Sequence, residues 1–61
     1  MRSSRADDVT VVQRTVAFLR LAAIELRHLA DLTPLTADDL RHTADQCDRE
    51  ANELAEHFRD P

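Results

Sequence analysis

An all-α fold, an antiparallel hairpin of two helices, is what this sequence predicts, and three observations predict it. Apolar residues recur at alternating spacings of three and four over most of the chain, the period of a helix face. The chain has no glycine, so tight hairpin turns and phosphate-cradling loops have no residue to build them. The helical pattern breaks only at "LTPLTADDL", residues 32 to 40. The domain is therefore one unit over residues 1–61, with helix 1 over about 5–32, a turn at 33–36 and helix 2 over about 37–59.

Helix 1 carries a first seam of Val9, Val12, Val16, Leu19, Ala23, Leu26 and Ala30, spaced three and four apart. A second apolar strip lies beside it, formed by Val11, Phe18, Ala22 and Leu29 with Leu32 near the end. Pro34 disfavours helical backbone at Thr33, which ends the first helix at about Leu32. Thr36 then has the residue type of an N-cap, with Asp39 three residues on in the acidic slot of a capping box. Leu35 and Leu40 stand at the two positions of a hydrophobic staple. Helix 2 presents one narrow seam, Leu40, Ala44, Cys47, Ala51, Leu54 and Phe58, and its other faces are polar. Three of those six side chains are small, which lets a neighbouring helix approach closely.

A linker of three or four residues forces the helices to fold back antiparallel. The narrow seam of helix 2 cannot cover both strips of helix 1, so the lone hairpin keeps an exposed hydrophobic strip. Sixty-one residues also lie near the size at which one core barely offsets the entropy of ordering the chain. The single cysteine, Cys47, cannot close an internal disulfide, and oligomerisation is the remaining means of stabilisation. Two hairpins joined in a four-helix bundle, a coiled-coil homodimer, are expected. Its expected oligomer interface comprises Val9, Val12, Val16, Phe18, Leu19, Ala22, Ala23, Leu26, Leu29, Leu40, Ala44, Cys47, Ala51, Leu54 and Phe58.

The net charge of −4 gives no general attraction to nucleic acid or anionic lipid. The charge is split, however: residues 1–32 hold five Arg against four acids, and residues 33–61 three Arg against eight acids. All eight basic residues are Arg, a bias that fits coding in a GC-rich bacterial genome. The most apolar run, "TVAFLRLAAIEL", is interrupted by Arg20 and Glu25, so neither a secretory leader nor a membrane span is expected and a cytoplasmic location follows.

The heptad pattern, closest in "ANELAEHFRD" with Ala51, Leu54 and Phe58 in register, resembles that of the Rop family of plasmid copy-number regulators. That resemblance implies an antiparallel four-helix bundle dimer that binds RNA loop–loop complexes. Phe18 would then stand for the family's aromatic, and Arg14, Arg20 and Arg27 would supply charge, but no lysine cluster is present and Glu25 and Asp31 lie near the arginine stripe. The stretch "LRHTADQCDREANELAEHF" also resembles short helical-hairpin proteins of GC-rich bacteria, which implies no activity.

Several side chains have the types that carry chemistry, and each has a plainer reading. Glu25 and His28 make an E-x-x-H pair, the spacing of dimetal four-helix bundles, but both lie away from the first seam. Glu50, Glu53, Glu56 and His57 crowd the end of helix 2 as a solvated face, with Asp45, Arg49 and Glu53 four apart as candidate ion pairs. Cys47 sits in the seam without a histidine on its face, as a small hydrophobe, and His42 lies off the seam. No catalytic residue, cofactor or metal is expected, and no enzyme. Arg20 and Arg27 are expected to pair with acids beside the helix 2 seam, such as Asp48 or Glu50, and so fix the register. The expected function is a homo-oligomeric protein–protein interaction or regulatory module. Its partners would be itself and a further protein, with no RNA, DNA or membrane, and the rival readings are a Rop-like RNA-binding regulator and a dimetal bundle.

Overall fold

The computed structural model describes residues 5–59, and the outer ends of the expected domain, 1–4 and 60–61, lie outside the described residues. Helix α1 runs Arg5–Leu32, a 3-10 turn covers Pro34–Thr36, and helix α2 runs Ala37–His57. The two helices pack along each other as the all-α hairpin that the periodicity predicts. The molecule measures 50 × 21 × 13 Å. Its smallest dimension is about one helix diameter, so the hairpin is a slab a single helix thick.

Proline drives the reversal. Thr33, directly before Pro34, takes an extended backbone with φ −132° and ψ 79°. Its N–H still bonds the Ala30 carbonyl at 3.4 Å, and its hydroxyl donates to the Leu29 carbonyl at 2.7 Å, which satisfies two acceptors at the end of α1. One detail differs from expectation. Thr36 does precede α2, but its side chain makes no capping bond. The Thr36 hydroxyl instead turns back to the Thr33 carbonyl at 3.5 Å. The 3-10 turn closed by Pro34 aims that hydroxyl away from the new helix. The same turn leaves Leu35 fully exposed, so the staple with Leu40 does not form.

The core between the helices is narrow and small. Its buried residues among those described are Ala23, Ala30, Ala37, Ala44 and Ala51, one alanine every seven residues straight through the turn. The larger seam residues, Val9, Val12, Val16, Leu19, Leu26, Leu40, Cys47 and Leu54, are half-buried around them. Val12, Val16, Ala55 and Phe58 wall one groove at the open end of the hairpin, which sets the antiparallel register. In that register Leu26 falls level with Ala44 and Leu19 with Ala51, so a large side chain of one helix meets a small one of the other. No large side chain among the described residues is fully buried.

Helix α2 stops at His57, two residues short of the expected end. Phe58 takes the C-cap position, its N–H on the Leu54 carbonyl at 3.2 Å, with its ring edge-on to His57 at 4.9 Å. It is 41% exposed and therefore closes the seam only in part. With 28 residues in α1 and 21 in α2, the first turns of α1 have no helix opposite them.

Candidate interaction surface

Two surfaces of the slab differ in chemistry. On one side, an Arg27 guanidinium nitrogen lies 2.8 Å from Asp45 and 2.8 Å from Asp48, and Arg41 meets Asp31 at 3.1 Å. Hydrogen bonds that the guanidinium donates to Asp45 and then to Asp48 hold the Arg27 pKa above the ordinary arginine value, because both carboxylates favour the charged form. These pairs cross from α1 to α2, so they fix the register as well as the side. Asp48 is one of the partners expected for Arg27. Arg20 makes no ion pair among the described residues, nor does Arg49 pair along α2 with Asp45 or Glu53. The guanidinium of Arg27 takes Asp45 from across the hairpin instead.

The outer edge of α1, turned away from α2, is apolar. Val11, Phe18, Glu25 and Leu32 lie seven residues apart in one line, flanked by Leu21 and Leu29. All six are exposed, Phe18 at 69% and Leu21 at 55%. Ala22, beside Phe18, is half-buried. The residues expected to make one oligomer interface thus divide into two surfaces. Val9, Val12, Val16, Leu19, Ala23, Leu26, Leu40, Ala44, Cys47, Ala51 and Leu54 occupy the seam inside the hairpin, while Phe18 and Leu29 lie outside it. Two exposed residues escaped the sequence reading, Leu21 and Ile24, the latter 61% exposed toward the ion-paired side. Their signal was present in the run "VAFLRLAAI", which is apolar on almost every face and reads as a helix covered from more than one direction. Ala37 was missed too, though it continues the alanine heptad.

A third feature is the groove at the open end, about 480 Å³, lined by Val9, Val12, Gln13, Val16, Ala17, Arg20, Ala55, Phe58 and Arg59. Arg59 also lies 3.6 Å from Glu56. The remaining candidates stay apart. Glu25 and His28 are exposed on the side of α1 turned from α2, and no group of three or more His, Cys, Asp or Glu among the described residues is placed to hold a metal ion. Cys47 is a free, half-buried thiol, His42 is exposed, and Glu50, Glu53, Glu56 and His57 are exposed along the end of α2. No described helix is long and apolar enough to cross a membrane. No protein-family model matches this chain, and neither a curated protein nor a solved structure is similar enough to assign it a family.

Proposed function

We propose that this chain is a self-associating helical module, a small non-catalytic interaction or regulatory protein whose working form is an oligomer of hairpins. One observation carries the reading. Among the described residues the buried ones are five alanines, whereas Val11, Phe18, Leu21, Ile24, Leu29 and Leu32 of α1 stand largely in water. Fully covering an exposed Leu or Phe is worth about 1.5–3 kcal/mol, so even partly covered side chains such as these hold a sizeable share of the hydrophobic stabilisation in reserve for a partner. A further protein could then be bound on the faces that self-association leaves open.

The RNA-binding alternative draws less support. Of the arginines that reading relies on, Arg27 is engaged by Asp45 and Asp48, an arginine paired with carboxylates is a poor phosphate ligand, and Glu25 stands in line with Phe18 between Arg20 and Arg27. The test of self-association is sedimentation equilibrium of the full chain at micromolar concentration. A dimer, twice the 6.9 kDa chain mass, is the expected result. A helical monomer across the whole concentration range overturns the proposal.

A further inference from the structure

The exposed face of α1 carries enough pattern to specify how a second copy sits on it. This step rests on the self-association proposed above. Helix α2 exposes no large apolar side chain beyond its seam, and among the described residues the large exposed apolar side chains outside α1 are Leu35 in the turn and the C-cap Phe58. The complement for the outer strip of α1 is therefore α1 of another chain.

Charge then selects the direction and the register. Arg14 and Glu25 both lie along this strip, and neither has an ion pair among the described residues. A parallel pairing would set Arg14 against Arg14 and Glu25 against Glu25. An antiparallel pairing avoids this in one register. When Phe18 meets the partner's Leu21, four residues back from Phe18 is Arg14, and four residues on from Leu21 is Glu25. By the two-fold symmetry this match occurs twice, on either side of a central apolar layer made by two copies of the Phe18–Leu21 pair. A shift by one heptad sets Glu25 against Leu21 and Arg14 against Leu32, which leaves both charges on apolar neighbours.

We propose that the chain dimerises through α1 packed antiparallel on α1 of a second copy, with Phe18 against the partner's Leu21 and Arg14 paired with the partner's Glu25. The strip lies on the side of α1 turned away from the α2 seam. The second copy therefore adds beyond α1, and the two acidic α2 helices stand apart at the flanks, where their like charges repel least. The assembly is an open four-helix array with the α1 pair at its centre.

Charge exchange in the full chain tests this by sedimentation. Arg14→Glu sets two acids together at each end of the interface, and Glu25→Arg sets two arginines together. Each change should raise the dimer dissociation constant by about tenfold, two rim pairs turning from attraction to repulsion. The double variant Arg14→Glu/Glu25→Arg restores both pairs with reversed sign and should return the constant to near its original value. Circular dichroism on the same samples follows helix content. Even if the single variants lose helix together with their partner, recovery in the double variant supports the register and its absence overturns it. A dimer unmoved by either single change also overturns this register while leaving self-association standing. An unmodified chain that stays monomeric overturns both.

Discussion

Arg27 shows how one side chain sets the register of two helices. It reaches Asp45 and Asp48 together, spanning one turn of α2, so a slip of either helix would break both contacts. Arg20 occupies the same position one heptad earlier on α1, and in an antiparallel hairpin that places it one heptad later on α2, beside Asn52 and Ala55. Ala55 does share the open-end groove with Arg20. The two arginines look equivalent on a helical wheel of α1, yet only one meets carboxylates, because the difference is written in α2. Arg27→Ala should therefore lower the melting temperature by up to about 5 °C, the scale expected of a surface ion-pair network. Arg20→Ala should change it little, and thermal melts of both variants side by side make the comparison. The sign of the pH dependence follows from the raised Arg27 pKa. A cation whose folded pKa lies above its unfolded value contributes in full below the unfolded value, and the contribution is lost only as pH climbs through the folded one. The gap between the unmodified chain and Arg27→Ala should accordingly stay constant from about pH 6 to pH 10, below the arginine range.

At the scale of the helix, the alanine heptad decides how close α1 and α2 can come. Ala44 is fully buried and level with Leu26, so enlarging it has no space to fill. Ala44→Leu should destabilise the hairpin by about 1–3 kcal/mol through overpacking. Ala17→Leu, at an exposed position of α1, should be close to neutral, and chemical denaturation of the two variants makes the check. The seams were legible in the sequence because a spacing of three and four has one meaning on a helix, and the end of α1 was legible because Pro34 constrains Thr33. The idle Thr36 cap and the splayed Leu35 were not, since they depend on the direction in which the 3-10 turn leaves α1. The divided interface was legible only in part. Periodicity identified Phe18 and Leu29 as surplus to the seam, but Leu21 and Ile24 fall outside both strips and are recognised only when α1 is seen to be apolar around most of its circumference.

For the molecule as a whole, shape and charge point the same way. A compact chain of this length has a radius of gyration of about 10–11 Å, and this one measures 14.6 Å. A slab one helix thick has no interior apart from the line where its helices touch, so every further apolar side chain must face outward. Charge keeps the helices distinct, because the acids concentrate on α2 while α1 is nearly balanced, which makes α1 the helix that can be brought against its own copy. If association supplies the missing burial, folding and dimerisation are linked and thermal stability depends on chain concentration. Each tenfold rise in concentration then adds about 1.4 kcal/mol to the folded dimer, which in so small a chain should raise the melting temperature by several degrees. Phe18→Asp should remove that dependence. Phe18 is largely exposed in the single hairpin, so the change costs the hairpin little, whereas in the pair it sets a carboxylate against the partner's Leu21. Melting curves over two decades of concentration separate the cases: an unmodified chain whose midpoint does not move would show that the alanine core suffices by itself, and that the exposed face of α1 has no part in holding the fold.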